Sequence, residues 1–276
     1  MHHDRPADDA APGRAGSPHP FRVYAHRGAS AELPENTLEA FARAVELGVD
    51  ALELDVWLTA DGAVVVHHDA LGARTADVDA HIARAPLADV RAWDVGHAFR
   101  APDGSRPFVG RGFRAPLLEE VLEAFPGVHV NVDVKHHHPR AAEAVVRLCE
   151  RLRVEGRVTL TSVDHGLVIG MRKLGWRGAL GMGQRAGLSL VALPAFALRH
   201  LPRVSDAVQI PHRYAGVRFA RRAIVDRCHA LGLRVDYWTV NDPALAAELI
   251  ALGADGIMTD DPARVVAAAH AARRGA

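Results

Sequence analysis

The sequence predicts an α/β fold, a (β/α)8 (TIM) barrel with a small insertion after the second strand. Eight short β-rich runs alternate with helical patterns along 276 residues. That alternation points to a parallel barrel rather than an open doubly wound sheet, and the length suits one barrel as a single unit. No glycine-rich GxGxxG turn follows the first run, which weakens the dinucleotide-binding form of the open-sheet alternative.

Residues 1–20, rich in Pro, Ala, Asp and Gly and without periodicity, read as a disordered tail, which leaves 21–276 for the barrel. The expected strands are Phe21–Ala25, Asp50–Val56, Val128–Val134, Arg157–Ser162, Ala179–Met182, Ala207–Ile210, Arg234–Trp238 and Asp255–Met258. A helix is expected over Asn36–Leu47, where Leu38, Phe41, Ala42 and Val45 repeat at i, i+3, i+4 and i+7. Gly48 stands where a C-terminal glycine belongs, and Asn36 with Glu39 has the spacing of a capping box. Asp242-Pro243 and Asp261-Pro262 each offer an acidic N-cap followed by proline at the first helical position. Between Trp57 and Val128 the connection is far longer than a barrel unit needs. It holds a short strand at Val64–His67, a Gly/Arg/Asp/Pro-rich stretch through Gly112 and a helix from about Leu117 to Ala124. Its core, about 71–115, is expected to fold over the barrel mouth, because loops this long are usually functional.

Lys plus Arg number 33 and Asp plus Glu 33, so the basic surplus of a nucleic-acid binder is missing and no nucleic-acid partner is expected. Hydrophobic residues at 49% and charged residues at 24% describe an ordinary folded protein. The longest apolar stretch, Ala186–Leu198, is broken by Ser189 and Pro194 and is too short for a membrane span. The N-terminus carries no apolar leader run. Cys149 and Cys228 fall in helical segments without metal-binding spacing and read as buried small hydrophobes in a reducing compartment. The expected location is cytoplasmic. The residues carry no signal for an oligomeric state.

Reactive groups of such a barrel stand at the C-terminal ends of its strands. The first strand ends in Ala25-His26-Arg27-Gly28. In the second, Leu52, Leu54 and Val56 share one face and Glu53 with Asp55 the other. In the third, the valines from 128 to 134 share a face, and Asn131, Asp133 and Lys135 share the opposite one. With the aliphatic faces on the helices, three carboxylates and a lysine converge at the mouth, although each pair alone could equally be a solvated strand face. Lys135 and Lys173 are the only lysines among 33 basic residues, so a lysine on an inward face hints at a compact point charge such as a phosphate contact. His67-His68-Asp69 adds imidazole after the short strand, whereas His136-His137-His138 cannot all face one metal from an extended strand end and read as solvated or supporting.

In order along the chain, these pieces resemble the glycerophosphodiester phosphodiesterase family. The matching segments are His26-Arg27-Gly28, Pro34-Glu35-Asn36-Thr37, Glu53-Leu54-Asp55-Val56, Thr59-Ala60-Asp61-Gly62 and Val65-Val66 leading to His68-Asp69. They continue with Leu118-Glu119-Glu120-Val121-Leu122, Asp133-Val134-Lys135, Trp238-Thr239-Val240-Asn241, Gly253-Ala254-Asp255-Gly256-Ile257 and Thr259-Asp260-Asp261-Pro262. The resemblance covers about residues 22–265. It implies a (β/α)8 barrel with an insertion after the second strand and hydrolysis of glycerophosphodiesters to glycerol 3-phosphate and an alcohol, with a divalent cation, Mg²⁺ or Ca²⁺. It also implies roles. His26 and His68 look like the catalytic histidine pair, and Glu53, Asp55 and Asp133 stand at the metal-ligand positions. Arg27 and Lys135 look like phosphate contacts, and Trp238 like a wall of the substrate pocket.

Three departures from the family pattern stand out. Asp133 replaces the usual Glu, Leu117 the usual Thr, and Thr161-Ser162-Val163 a more usual Ser-Phe pairing. Two other functions fit the same barrel. A metal-dependent amide or ester hydrolase would place several histidines on the strands, where this chain has carboxylates. A non-catalytic phosphate-binding barrel would not need two imidazoles and a full carboxylate set.

Overall fold

The computed structural model describes residues 19–183, 187 and 204–274. The expected tail therefore lies, through residue 18, outside the described residues, as does nearly all of the apolar run Ala186–Leu198. Eight parallel strands form the ring: β1 Arg22–His26, β2 Ala51–Leu58, β3 His129–Val134, β4 Val158–Thr161, β5 Ala179–Leu180, β6 Ala207–Pro211, β7 Arg234–Trp238 and β8 Gly256–Thr259. Ladders run without a break from β5 through β1 and round to β6. A single parallel bridge, Gly181 to Ala207, joins the last pair. The expected strands are all present, shifted by one or two residues at their ends.

Side-chain alternation sorts each strand into two faces. Leu52, Leu54 and Val56 of β2 and Val130, Val132 and Val134 of β3 pack with Phe41, Val145, Leu160 and Met171 in the layer under the helices. Val23, Val208, Val235 and Ile257 do the same on the other side, against Val225, Leu249 and Val265. Full burial of each such side chain contributes roughly 1.5–3 kcal/mol. The odd phase of β2 and β3 is thereby forced inward, carrying Glu53, Asp55, Asn131 and Asp133 into the ring. At the N-terminal end of the barrel, Arg234 and Asp236 form a buried pair at 2.7 Å.

The first helix, Leu38–Glu46, starts two residues later than expected. Thr37 is its N-cap, its hydroxyl accepting from the Ala40 N–H at 3.2 Å. Asn36 is no capping residue: it takes a left-handed φ of 57° and turns its side chain inward, onto Asp55. The proline-led helices behave as the sequence predicts, with the Asp242 carboxylate accepting from Ala244 N–H at 2.9 Å ahead of Pro243–Ala251.

β2 runs past the barrel rim and folds back through Thr59-Ala60-Asp61-Gly62 into Val64–Val66, which pairs with it antiparallel. This hairpin returns His67 and His68 to the end of β2, where His67 N–H donates to the Asp55 carbonyl at 2.9 Å. The connection that follows contains a two-stranded hairpin (Leu71–Gly72 with Val78–His81) and short helices at Ala73–Ala76 and Leu87–Arg91. Its own small core includes Val65, Ile82, Val90, Trp93 and Val95. Leu118–Ala124 then leads into β3, and Glu120 accepts from Leu117 N–H at 2.8 Å. Leucine has no oxygen to return the bond, so only half of a capping box is possible there. Among the described residues, no helix is long and apolar enough to cross a membrane.

Candidate active site

Strand register assembles the site. β1 pairs with β2 so that His26 lies beside Glu53, and β2 pairs with β3 so that Asp55 lies beside Asp133. A cavity of about 330 Å³ opens at these C-terminal ends, and His26, Arg27, Glu53, Asp55, His68, Asp133, Lys135 and Trp238 all line it. Every side chain singled out from the sequence for this site is therefore brought to one place.

Arg27 and Gly28 make the turn out of β1 at φ of 60° and 84°. A left-handed backbone costs a non-glycine residue roughly 1–2 kcal/mol. Arg27 is held in it from both sides: its N–H donates to the Glu53 carbonyl, and its carbonyl accepts from Asn36 N–H, each at 2.9 Å. Gly28 admits no side chain, since a Cβ there would meet the Ala40 carbonyl carbon at 2.7 Å. Such a fixed turn at a strand end is a place where backbone strain positions chemistry.

Each of the two cavity histidines has an aspartate behind it. His26 Nδ1 lies 2.6 Å from Asp260 Oδ1, and His68 Nδ1 lies 2.6 Å from Asp69 Oδ1. Asp260 is fixed in turn by Asn241, whose Nδ2 donates to Oδ2 at 2.9 Å and whose Oδ1 accepts the Asp260 N–H at 2.8 Å. Asp69 is gripped by Arg74, and Arg74 forms two bonds, 2.7 and 2.6 Å, to Glu35. Both rings therefore hold Nδ1 against a carboxylate and keep Nε2 for the cavity, the tautomer arrangement of a working imidazole. His67 differs. It is buried, with its ring nitrogens on the Asp69 carbonyl and the Thr75 hydroxyl, each at 2.8 Å, and burial lowers its pKa.

Sequence reasoning missed Asp260, Asn241, Asp69, Asn36, Glu35 and Arg74 as members of the site. Five of them, all but Arg74, stood inside the matched segments. The recurring Asx and Glu residues beside His26, His68 and the strand ends were the available signal.

The charges are tightly interlocked. Asp55 is buried and meets Lys135 at 3.1 Å, Arg27 at 3.2 Å and the Asn36 amide at 3.0 Å. Burial pushes its carboxyl up, but Lys135 and Arg27 outweigh that and bring it down to about 2. Glu53 lacks such partners, and burial together with the Asp55 charge pushes it up to about 7. His26 is lowered by burial yet raised on balance, by Glu53 at 3.8 Å and by the bond to Asp260. Burial depresses Lys135, but Asp133 at 2.6 Å and Asp55 raise it overall.

The donor set fits a hard divalent cation. It is all-oxygen, Asp133 Oδ1 is buried without a hydrogen-bond partner, and Glu53 is a buried carboxylate short of positive charge. The set is not pre-collected, however: among the described residues no three acidic, histidine or cysteine side chains already stand as a metal-holding group. Lys135 bridges Asp55 and Asp133 instead.

The opposite wall is apolar. It is built from Met182, Val208, Ile210, Phe219 and Trp238, with Tyr214 from a small hairpin after β6. None of the residues 71–115 is among those that line the cavity. That segment has a small core of its own, and its Arg74 bonds Asp69 and Glu35 at the site. Two histidines of the triplet have structural contacts. His136 stacks on Trp57 at 5.3 Å, and His138 caps the helix Pro139–Leu152 by accepting from Arg140 N–H at 3.2 Å.

Comparison with known proteins meets this geometry. The model of the glycerophosphoryl diester phosphodiesterase family matches residues 26–264. A glycerophosphodiester phosphodiesterase of Caldanaerobacter subterraneus is 32% identical over 249 residues, covering 88% of this chain and 96% of that protein. One of Bacillus altitudinis is 30% identical over 251 residues, covering 89% and 96%. Among solved structures, an Oleispira antarctica phosphodiesterase in complex with the product sn-glycerol-3-phosphate shares the fold with a TM-score of 0.72 at 24% identity, covering 90% and 96%. With a match spanning almost the whole barrel, and relatives of this identity along it, the chain belongs to the glycerophosphoryl diester phosphodiesterase family and is a phosphoric diester hydrolase.

Proposed function

We propose that the chain cleaves glycerophosphodiesters to glycerol 3-phosphate and an alcohol, using a bound divalent cation and His26 with His68 as the acid–base pair. The observation that carries this reading is the pair of imidazoles on one cavity, each backed through Nδ1 by an aspartate at 2.6 Å. The Oleispira antarctica relative, which holds sn-glycerol-3-phosphate, is consistent with the product named here.

A phosphodiester is a stable anion that repels nucleophiles, so the site must neutralise charge and move two protons. Arg27 and Lys135 supply fixed positive charge; the guanidinium offers a planar fork for two parallel bonds to phosphate oxygens. One imidazole takes a proton from the nucleophile at Nε2 and the other delivers one to the leaving alcohol, each contributing ~10²–10⁴-fold. Asp260 and Asp69 hold the tautomers that make this possible. Glu53, Asp55 and the free Oδ1 of Asp133 are the oxygens that would hold Mg²⁺ or Ca²⁺. When bound, the cation supplies Lewis-acid stabilisation of charge on phosphoryl oxygen. The same reading places the enzyme in the cytoplasm, where the buried free thiols of Cys149 and Cys228 persist. The segment 71–115 is read as a satellite of the barrel that braces His68 and Glu35 through Arg74.

The test is release of glycerol 3-phosphate from glycerophosphocholine with and without EDTA. The expected result is release that stops on chelation and returns with Mg²⁺ or Ca²⁺. Full activity in EDTA would remove the cation, and no release from any glycerophosphodiester would remove the substrate assignment.

A further inference from the structure

Three polar side chains line the cavity without joining the charged network around the imidazoles: Asn131, Thr161 and Gln209. Alternation turns all three into the ring, since Val130 and Val132, Leu160 and Val208 take the outward phase of their strands. Asn131 stands beside Glu53 across the β2–β3 ladder, and Thr161 beside Asp133 across the β3–β4 ladder. Gln209 reaches over from β6, and its Nε2 donates to Asn131 Oδ1 at 2.7 Å. That bond ties the charged wall to the apolar one.

Asn131 and Thr161 are 1% and 7% exposed, a depth at which polar groups are normally hydrogen-bonded. Yet Asn131 Nδ2, Thr161 Oγ1 and Gln209 Oε1 make no hydrogen bond among the described residues, and none of them is sealed from the cavity. Ser162 differs: its hydroxyl donates to the Val134 carbonyl at 2.8 Å and accepts from Asp164 N–H at 3.2 Å. An amide donor, an amide acceptor and a hydroxyl that can do either are thus left open toward one space. Toward the N-terminal end of the strands the ring is filled. Tyr24, Arg234 and Asp236 are buried there, the Arg234 guanidinium lies over the Tyr24 ring at 5.7 Å, and none of the three lines the cavity. The lining also includes Val163, Tyr214 and Trp238, which are exposed. The cavity has a polar blind end and an apolar open rim.

The two halves of a glycerophosphodiester make different demands on such a space. Alcohols of unlike size need the open end, whereas a half that never changes can be matched by fixed, buried polar groups. We propose that Asn131, Thr161 and Gln209 form the subsite for the glycerol hydroxyls, with glycerol pointing down into the ring and the alcohol outward along the apolar rim. The inference rests on the proposed function and adds to it the residues that select glycerol. A ligand without the hydroxyls leaves these atoms unpaired, and that penalty is how a site built on hydrogen bonds rejects a deoxy analogue.

Calorimetric titration of the full chain, with Mg²⁺ present, tests it on three ligands: sn-glycerol 3-phosphate, propyl phosphate, which lacks both hydroxyls, and phosphocholine. The wild type should bind sn-glycerol 3-phosphate at least about tenfold more tightly than propyl phosphate. Gln209→Met should bring that ratio down to about twofold, and Thr161→Val should lower it by a smaller factor. In both variants the Kd values for propyl phosphate and phosphocholine should stay within about twofold of wild type, since neither ligand carries the glycerol hydroxyls. A wild-type ratio near one would overturn the proposal with no variant needed. A ratio that survives both substitutions would overturn it by assigning the hydroxyls to other groups, and so would an equal loss for all three ligands. Calorimetry reads binding and not turnover. A chain that binds with the expected ratio but releases no glycerol 3-phosphate would therefore refute the acid–base reading and leave this subsite standing.

Discussion

Among the described residues, every charged or imidazole side chain lining the cavity comes from β1, β2, β3, the residue directly after β1 or β3, or the hairpin that extends β2, while the wall from β5 to β7 contributes Met182, Val208, Ile210, Phe219 and Trp238. The two halves answer to different physics. On the charged half, each group is set by strand register and by neighbours within about hydrogen-bonding distance, so its effect depends on placement to a fraction of an ångström. On the apolar half, the contribution scales with area covered and tolerates changes of shape. The charged half is suited to act on the phosphodiester, common to all substrates of the class. The apolar half is suited to meet the alcohol, which varies. Under the proposed function, chemistry and selectivity would fall on opposite sides of one ring.

Substitutions on the charged half should break turnover. His26→Ala and His68→Ala are each expected to lower kcat by ~10²–10⁴-fold with the fold intact. His67→Ala is the internal control. It should cost about 1–3 kcal/mol in stability, because it strands the buried Thr75 hydroxyl and the Asp69 carbonyl. Its kcat should remain far above that of His68→Ala. Equal kinetic losses at 67 and 68 would move the catalytic role to the wrong neighbour.

Cation affinity separates Asp133 from its partners. Asp133→Ala should raise the half-saturating metal concentration at least about tenfold, given that losing even a group behind a metal ligand costs 10–100-fold. Asp133→Glu adds one methylene, roughly 1.5 Å of reach, and should retain activity while changing the Mg²⁺/Ca²⁺ preference. A half-saturation unchanged in Asp133→Ala would reduce this residue to a partner of Lys135.

The apolar half should show the smallest effect and a different signature. Trp238→Ala is expected to raise KM several-fold to about tenfold, with kcat little changed and relative kcat/KM shifted among choline, ethanolamine and glycerol diesters. A uniform fall in kcat across these substrates would contradict the division between the two walls.

The charged half was also the legible half. Strict alternation in β2 and β3 gives each side chain a face, so Glu53, Asp55 and Asp133 could be directed inward from sequence alone. Loops carry no such rule. Asn36 reads as a helix cap at the right spacing from Glu39, yet a left-handed backbone one residue earlier than the true cap, Thr37, turns it onto Asp55. Asp260 reads as one of two acids before a proline-led helix, and its bond to His26 spans 234 residues of chain. The insertion was legible only in outline: its length marked it as a unit, but alternation does not reach across it, and its apolar residues are close enough in sequence to bury one another. Of the apolar wall only Trp238 was foreseen, because the aliphatic residues of β6 look like any other barrel core.

Gly28 has a consequence for how this site can change. With the Ala40 carbonyl carbon 2.7 Å from where its Cβ would be, helix and strand end touch there as two rigid bodies on a fulcrum. Any added atom would tilt the helix start outward and carry Asn36 and Glu35 away from Asp55 and Arg27 together. Refitting the charged half through this position is closed, so any change on that half has to come from the other side chains around it.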